Sequence, residues 1–333
     1  MTAPGAGASG EDSLIARYFK PLATDPGAFG LTDDAAILKA LGEDIVVTTD
    51  AIVEGVHFLP NDPAETIAKK ALRVNLSDLA AKGATPAGFV LTLALRAVDE
   101  AWLAAFARGL DEDAKAFGCP LLGGDTVSTP GPLMVSITAF GRVPDGKMIH
   151  RSGARPGDHL VVTGTIGDAA LGLDILRKGR VATVLAGDAT SRGILISRYR
   201  VPAPRNALAP TVRAHAHAAM DISDGLAGDL TKLCAASGVS AVIDLPGIPL
   251  SKAASAVLAA DAVSMAEIVS GGDDYELLCA VAPDALEPFM QAAQASGVAV
   301  SPIGTVMAGS AGPKFLDATG KELSLTRRSF SHF

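Results

Sequence analysis

The sequence has 333 residues, of which 49% are hydrophobic and 19% charged, and its formal net charge is −8. This length is sufficient for about two domains, each with its own hydrophobic core. The composition is that of a globular protein and excludes a disulfide-stabilised miniprotein, while the acidic balance argues against a nucleic-acid binder, which needs positive charge.

The cysteines and the distribution of apolar residues indicate a cellular compartment. Cys119, Cys234 and Cys279 are too scattered for a disulfide framework or a zinc cluster, and we expect them in the core. The first ten residues lack the features of a secretory signal, and no run of about 18 uncharged apolar residues occurs. We therefore expect a cytoplasmic protein with neither membrane nor nucleic acid among its partners.

The first half of the chain is predicted to alternate strands and helices. Residues 45–50 (IVVTTD) form a β-branched run that ends in two hydroxyls and a carboxylate, as a strand that delivers polar groups to a site would. Apolar residues at three- and four-residue spacing predict a helix over 63–82. The other predicted elements are strands over 89–95 and 133–140 and an amphipathic helix over 100–117.

A turn-rich segment over 142–158, with several glycines and prolines, marks the predicted domain boundary. It separates a domain over 1–145 from a domain over 150–333. The second half repeats the mixture, with predicted strands over 159–163, 239–245 and 276–281 and helices over 168–178 and after Asp224. The fold class is therefore mixed α/β in two domains.

Aspartate recurs beside glycine, a hydroxyl or a second aspartate at six places. These clusters are TDD (32–34), TTD (48–50), NLSD (75–78), GGDT (123–126), DISDG (221–225) and GGDD (271–274). Oxygen ligands of this kind suit Mg²⁺, and carboxylates that converge stay ionised only when cations neutralise them. Because the phosphate-binding G-x-x-x-x-G-K-[ST] loop is missing, a site built on these clusters would hold phosphates through metal, hydroxyls and glycine N–H groups.

Each cluster alone also has a purely structural explanation. Asp-Gly and Gly-Gly-Asp are common turn sequences, and Asp221 or Ser223 could cap the helix that follows. His57 follows the TTD cluster by seven residues, so it is either at the same site or a partly buried structural histidine. His215 and His217 have the spacing of a zinc pair on a strand but no third ligand nearby.

The order of the motifs resembles the thiamine-monophosphate kinase family from about residue 10 to the C terminus. That family belongs to a superfamily with aminoimidazole ribonucleotide synthetase, selenide water dikinase and a hydrogenase maturation factor. The matching runs are GEDSLIAR (10–17), LTDDAA (31–36), TTD (48–50), EGVHF (54–58), NLSDLAAKGATP (75–86), GGDT (123–126), RSGARPGD (151–158), VTGTIGDA (162–169), DISDGL (221–226) and GGDDYEL (271–277).

The resemblance implies direct in-line transfer of the γ-phosphoryl group of ATP to thiamine monophosphate, assisted by several Mg²⁺ ions, as the final step of thiamine diphosphate synthesis. It implies that the domain over 1–145 binds ATP and Mg²⁺ and pairs its strands across a homodimer. The domain over 150–333 would then complete the nucleotide and substrate site. ATP, thiamine monophosphate and a second copy of the chain are the implied partners.

Carried over position by position, the resemblance also implies the roles of individual residues. The implied Mg²⁺ ligands are Asp34, Thr48, Thr49, Asp50, Asp78, Asp125, Asp221 and Asp224. The implied ATP contacts are Gly124, Asp125, Arg151 and Ser223, and the substrate contacts are His57, Asp273 and Phe330. Asp221, Asp224 and Arg151 are the implied catalytic residues, with the Arg151 guanidinium suited to phosphate oxygens.

Three positions depart from the family pattern. Thr32 stands where the family usually has Gly, Asp273 where it has Glu, and Phe330 where it often has Trp or Tyr. Two other functions stay open at this point: another ATP-using enzyme of the superfamily, such as aminoimidazole ribonucleotide synthetase, and a non-catalytic binder of thiamine phosphates. A metal-dependent phosphatase is a further alternative.

Overall fold

The computed structural model describes residues 14–31 and 38–325. These residues fall into two compact units, each built on one β-sheet with helices. The first unit comprises the residues up to Leu79 together with Thr85–Asp145, and the second comprises Ala80–Ala84 together with the residues from Gly146 onward. The predicted mixed α/β fold class is confirmed.

The first unit contains a four-stranded sheet in the order β1-β4-β2-β3. Strand β4 runs antiparallel to both β1 and β2, and β3 runs parallel to β2. Two long helices connect these strands. The elements are β1 (Glu43–Val53), α1 (Ala64–Ala81), β2 (Thr85–Leu95), α2 (Glu100–Ala116), β3 (Leu121–Ser128) and β4 (Met134–Pro144).

The two faces of this sheet differ in burial. Every second residue of β4 from Val135 to Val143 is buried, while the residues between them are half-buried. Helix α1 lies on the buried face, because Asp78 near its end accepts a hydrogen bond from Thr48 of β1. The Arg73 guanidinium joins α1 to α2 through two bonds to the Asp113 carboxylate, of 2.6 and 2.8 Å. One face of the sheet therefore carries the core of the unit.

The second unit contains a six-stranded sheet in the order β10-β7-β9-β5-β8-β6. Its strands are β5 (His159–Thr163), β6 (Ala216–Ile222), β7 (Ser240–Asp244), β8 (Glu276–Val281), β9 (Val300–Met307) and β10 (Lys314–Leu316). Its helices are α3 (Asp168–Leu176), α4 (Arg180–Val184), α5 (Ala189–Arg200), α6 (Ala209–His215), α7 (Leu226–Ser237), α8 (Lys252–Ala259), α9 (Met265–Ser270) and α10 (Leu286–Ala295).

Strand β8 lies inside this sheet, between β5 and β6, and all six of its residues are buried. Burial on both faces explains why its sequence, ELLCAV, is nearly continuous in apolar residues rather than alternating. The single charged residue, Glu276, must then find its partners inside the protein. Those partners are Arg198, Arg205 and the Thr163 hydroxyl.

The cysteines are confirmed as core residues, since all three are free and buried. Burial raises the pKa of the Cys119 and Cys279 thiols to about 12 and that of Cys234 to about 11. Such thiols stay protonated at neutral pH and are poor nucleophiles. In the described part of the chain, none of the helices combines the length and the apolar character needed to cross a lipid bilayer.

Candidate functional site

In the first unit, three of the predicted metal ligands share one face of the sheet. Thr48 and Asp50 alternate with Thr49 along β1, and the Thr48 hydroxyl donates a 2.5 Å hydrogen bond to Asp78 Oδ2. All three side chains are half-buried. The structure therefore joins Thr48 to Asp78 and places Asp50 on the same face of β1.

Thr49 and Asp125 lie on the opposite face. The register pairs Thr49 with Thr138 of β4, and Asp125 of β3 lies beside Thr92 of β2. The Thr49 hydroxyl accepts a bond of 3.0 Å from the Thr138 hydroxyl and donates to the Ile137 carbonyl at 3.2 Å. The predicted ligands of this unit are thus divided between two faces, because adjacent residues of a strand point in opposite directions.

The glycines of the GGDT motif lie inside strand β3 and not in a turn. A Cβ atom on Gly124 would lie 1.9 Å from the Leu91 carbonyl oxygen of β2. Glycine is therefore required for the close approach of the two strands. Gly124 lets β3 pair closely with β2. The exposed Asp125 follows Gly124 in the strand and pairs with Thr92 of β2.

His57 is oriented by a turn that follows β1. Its Nδ1 accepts a hydrogen bond of 3.0 Å from the Val53 N–H, so the neutral ring carries its proton on Nε2. The buried Lys70 ammonium donates to the His57 carbonyl at 2.9 Å. Sequence reasoning missed Lys70, because a lysine on an amphipathic helix is ordinarily a surface residue.

In the second unit, the DISDG motif joins the end of β6 to the start of α7. Asp221 is the penultimate residue of β6 and is buried, while Ser223 and Asp224 lie in the turn and are partly exposed. The fully buried Asp229 of α7 accepts hydrogen bonds from the Ser223 and Asp224 N–H groups, at 3.0 and 2.9 Å. Asp229 is thus a further residue that organises this turn.

Lys232, one turn further along α7, joins two carboxylates of this region. Its ammonium donates to Asp229 Oδ1 at 2.8 Å and also to Asp224 Oδ2. Burial lowers the pKa of Lys232, but its bonds to Asp224 and Asp229 outweigh this and raise it. Burial raises the pKa of Asp229 despite the opposing effect of Lys232.

The GGDD motif packs against the DISDG motif, backbone to backbone. The N–H of Asp273 donates to the Ser223 carbonyl, and the N–H of Tyr275 donates to the Ile222 carbonyl, both at 2.8 Å. A Cβ atom on Gly272 would lie 2.7 Å from the Ser223 carbonyl oxygen. The two motifs, about 50 residues apart in the sequence, therefore form one locus with Asp273 beside Ser223.

Asp273 and Tyr275 both have left-handed backbone conformations, with φ of 72° and 50°. Residues other than glycine adopt this region at a cost, about 1 to 3 kcal/mol for a strained position. The surrounding contacts must maintain this conformation, and such strain is common at functional sites.

Two buried carboxylates lie under this locus. Asp274 Oδ2 accepts a 2.8 Å bond from the Gly167 N–H at the start of α3. Glu276 accepts two bonds from Arg205, at 2.7 and 2.5 Å, and one from Arg198 at 2.6 Å. Glu276 is buried and each arginine is only partly exposed, so these are buried ion pairs and not surface ones.

Burial raises the pKa of Asp274 well above its ordinary value, against the effects of the Gly167 hydrogen bond and the Arg198 charge. The folded protein therefore binds a proton more tightly than the unfolded chain, and stability falls as pH rises above about 4, the ordinary aspartate pKa.

We expect Asp274→Asn to lose less stability than the wild type between pH 5 and 8, because the amide keeps the acceptor for Gly167 and cannot ionise. Urea unfolding at several pH values measures this difference. Asp188→Asn is the control, since hydrogen bonds to Ser191 lower the pKa of this exposed residue. Parallel profiles for wild type and Asp274→Asn would contradict the expectation.

Arg151 is carried by a segment that is hydrogen-bonded to the middle of β6 and to the C-terminal end of α7, the end opposite the DISDG turn. The Ala219 N–H of β6 donates to the His150 carbonyl at 2.9 Å, and the Ser237 hydroxyl at the end of α7 accepts from Gly153 and Ala154, at 3.2 Å each. The Arg151 side chain is exposed. The structure thus joins Ser223 and Asp273 directly, while the segment of Arg151 packs on another part of β6 and α7.

Some predicted residues are not part of these arrangements. Asp34 and Phe330, and the departure at Thr32, lie outside the described residues. His217 Nδ1 lies 3.0 Å from both carboxylate oxygens of Asp158, so its partner is a carboxylate. Within 14–31 and 38–325, no three His, Cys, Asp or Glu side chains form a group that could hold a metal ion.

The donor chemistry nevertheless fits Mg²⁺. Thr48, Asp50 and Asp78 in one unit, and Asp221 and Asp224 in the other, offer only oxygen atoms, which hard cations prefer. Mg²⁺ keeps several water ligands and is typically held by one or two carboxylates together with substrate phosphates. A preformed group of three protein ligands is therefore not needed.

Family models match both halves of the chain. The model described as "AIR synthase related protein, N-terminal domain" matches residues 32–143, and the one described as "AIR synthase related protein, C-terminal domain" matches residues 155–313. Together they cover most of the sequence.

Individual relatives match over nearly the full length. A protein from Caulobacter vibrioides named thiamine-monophosphate kinase is 44% identical over 99% of this chain and 93% of its own. The crystal structure of thiamine-monophosphate kinase from Stenotrophomonas maltophilia is 37% identical, with a TM-score of 0.81 over 94% of this chain and 96% of its own. A structure named AaThiL, complexed with AMPPCP and TMP, is 28% identical, with a TM-score of 0.76 over 92% and 97% of the two chains.

Proposed function

The chain belongs to the thiamine-monophosphate kinase family of AIR synthase related proteins, and we propose that it transfers the γ-phosphoryl group of ATP to thiamine monophosphate, giving thiamine diphosphate and ADP. It is accordingly a phosphotransferase with a phosphate group as acceptor. The full-length match to relatives of this name supports the proposal, as does a structure in which a relative binds AMPPCP and TMP.

The observation that carries the proposal is the locus formed by the DISDG and GGDD motifs. Asp221 lies near the end of β6 and Asp224 lies in the turn after it, and the backbone of the Asp273 segment is hydrogen-bonded to that turn. The carboxylates that we assign to metal and to substrate therefore come from adjacent segments. Phosphoryl transfer requires little covalent chemistry from a protein and depends on positioning and charge stabilisation. A hydrogen-bonded set of oxygen ligands next to the partly exposed Ser223, Gly271 and Gly272 meets that requirement.

We assign the metal-binding role to oxygen-bearing residues of both units. They are Asp34, Thr48, Thr49, Asp50, Asp78, Asp125, Asp221 and Asp224, of which Asp34 rests on the family resemblance alone. When bound, Mg²⁺ neutralises phosphate charge that builds up during transfer. Before that, Thr48 and Lys232 hold Asp78 and Asp224 in fixed orientations through hydrogen bonds.

ATP and the substrate are assigned to the remaining predicted residues. Arg151, Gly124, Asp125 and Ser223 contact ATP in this proposal, with the exposed Arg151 guanidinium binding phosphate oxygens. His57, Asp273 and Phe330 contact thiamine monophosphate. Since His57 Nδ1 is used by the Val53 N–H, we assign donation to the substrate to Nε2.

We expect Phe330→Ala to raise the KM for thiamine monophosphate and to leave the KM for ATP nearly unchanged. The loss of one stacked ring corresponds to roughly 1 to 3 kcal/mol by analogy with base stacking, or about 5- to 150-fold. Steady-state kinetics with each substrate varied in turn measures both constants. Equal changes in the two KM values would contradict the role of Phe330.

The activity itself is tested by incubating the purified chain with ATP, Mg²⁺ and thiamine monophosphate and measuring thiamine diphosphate. Formation of the product with stoichiometric ADP supports the kinase. Tight binding of thiamine monophosphate without ADP release would indicate the non-catalytic binder instead. Inorganic phosphate without nucleotide dependence would indicate a phosphatase, and turnover of a purine precursor would indicate the synthetase.

We also propose that the protein is a cytoplasmic homodimer that pairs through its N-terminal domain. The face of the four-stranded sheet opposite the core carries exposed residues, among them the apolar Val47 of β1. Burial of such a face in a second copy would remove apolar surface from water. Analytical ultracentrifugation is expected to give twice the chain mass, and a monomer at micromolar concentration would contradict the proposal.

A further inference from the structure

Two residues of α7 contact the candidate site although no motif assigns them a role. Asp229 and Lys232 lie on the first turns of the helix, three and six residues after its first residue, Leu226. Asp229 is fully buried, and Lys232 is partly exposed. A buried carboxylate in an otherwise apolar part of a helix is costly unless its oxygen atoms are hydrogen-bonded.

Both carboxylate oxygens of Asp229 accept hydrogen bonds, and Oδ2 holds the DISDG turn directly. Oδ2 accepts from the Ser223 and Asp224 N–H groups, at 3.0 and 2.9 Å, and Oδ1 accepts from the Lys232 ammonium at 2.8 Å. Lys232 in turn donates to Asp224 Oδ2. Both the backbone and the carboxylate of Asp224 are therefore tied, directly or through Lys232, to one buried side chain.

We propose that Asp229 and Lys232 are a positioning pair for phosphoryl transfer, which fixes the turn that presents Ser223 and Asp224. The inference rests on the proposed function, because it assigns these two residues to the same site. Neither residue contacts the reacting groups in this assignment, so both act through Asp224 and Ser223. A simple helix cap would need only the two backbone bonds, and it would not require a cation that bridges Asp229 to the Asp224 carboxylate.

The positioning pair predicts a specific kinetic pattern. Lys232→Met removes the bridge and keeps the length of the side chain, while Asp229→Ala removes the acceptor of both N–H groups. We expect each change to lower kcat at least tenfold, since displacement of reacting groups by about 1 Å can cost up to a hundredfold. The KM for thiamine monophosphate should change less than kcat, because Asp273 is the one assigned substrate contact whose segment is bonded to this turn.

The double variant and a conservative substitution make the test specific. Asp229→Ala combined with Lys232→Met should lower kcat no further than the more severe single change, because both break one network. Lys232→Arg should return kcat to within about threefold of wild type, since a guanidinium can also bridge two carboxylates. Multiplicative effects in the double variant would contradict a shared role.

Amide hydrogen exchange provides a measurement that does not depend on activity. In Asp229→Ala, the peptide over 221–226 should exchange at least tenfold faster than in wild type, because Ser223 and Asp224 lose their acceptor. Unchanged exchange would overturn the positioning pair even if the wild type is an active kinase. Failure of the wild type to form thiamine diphosphate would instead overturn the proposed function.

A matched pair in the first unit controls for loss of stability. Arg73 and the buried Asp113 also form a bonded pair of opposite charges, but neither belongs to the candidate site. Arg73→Met and Asp113→Ala are expected to lower the melting temperature and to leave kcat of the folded protein within twofold of wild type. If Lys232→Met has the same effect on kcat as Arg73→Met, the positioning role is excluded.

Discussion

Asp224→Asn is expected to lower kcat by a factor of at least a hundred while the protein stays folded. The substitution removes the negative charge that is proposed to bind Mg²⁺ at the transferred phosphate. A metal ion contributes several kcal/mol of charge stabilisation to a transition state, and each step of about 1.4 kcal/mol corresponds to a factor of ten in rate. The fold should persist because Lys232 keeps Asp229 as its partner and the turn keeps both backbone bonds.

The measurement is the initial rate of thiamine diphosphate formation at saturating ATP and thiamine monophosphate over a range of Mg²⁺ concentrations. Asp317→Asn is the control, because Asp317 is also a turn aspartate of the second unit that accepts local hydrogen bonds, and it has no assigned role in the site. Near-normal turnover of Asp224→Asn at every Mg²⁺ concentration would show that Asp224 only stabilises the turn before α7.

Among substitutions that change a side chain as little, Glu276→Gln is expected to lower the free energy of unfolding most in the second unit. Glu276 is fully buried, and its carboxylate is bonded to Arg198, Arg205 and the Thr163 hydroxyl. The amide would leave two guanidinium groups without their counter-charge, and removal of one partner from a buried ion pair typically costs about 3 to 5 kcal/mol. Chemical denaturation of the wild type and the variant measures this loss.

Glu267→Gln provides the matched control for this effect. Glu267 also pairs with an arginine, Arg180, but both side chains are largely exposed, and exposed ion pairs contribute about 0 to 1 kcal/mol. We therefore expect a large loss for Glu276→Gln and a small one for Glu267→Gln. A similar loss in both variants would mean that the buried network contributes no more to stability than a surface pair.

Sequence patterns were sufficient for the elements whose periodicity is long and regular. The helix predicted over 63–82 is confirmed as α1 (Ala64–Ala81), and the strand predicted over 276–281 is confirmed as β8 (Glu276–Val281). In both elements the apolar pattern is strong enough to be recognised from the local sequence alone. Element ends were less accurate, as for the helix predicted over 168–178, which ends at Leu176 because Lys178 has a left-handed conformation.

The position of the TTD motif within its strand was not predictable from its own residues. The sequence predicts the motif at the end of a strand, but β1 continues three residues beyond Asp50, to Val53. Pairing with β4 extends the strand, and this pairing depends on residues about 90 positions away. As a consequence, Thr48 and Asp50 point to one face and Thr49 to the other.

The hydrogen-bonded networks of the second unit also could not be predicted from local sequence patterns. Asp229, Lys232 and Glu276 have ordinary sequence contexts for a helix or a strand, and only the folded chain brings their partners to them. A glycine pair inside a strand has the same composition as a turn, which explains why GGDT was compatible with a turn. The requirement for Gly124 comes from the Leu91 carbonyl on the neighbouring strand.

The left-handed backbone at position 273 also bears on the residue found there. Aspartate and asparagine adopt this region several-fold more readily than most side chains, because a short polar side chain can bond to the nearby backbone. A glutamate at this position would reach further with its longer side chain but would fit φ of 72° less easily. Asp273 therefore has a shorter side chain than glutamate but a less strained main chain. The substitution Asp273→Glu would lengthen the side chain and increase the backbone strain of the loop.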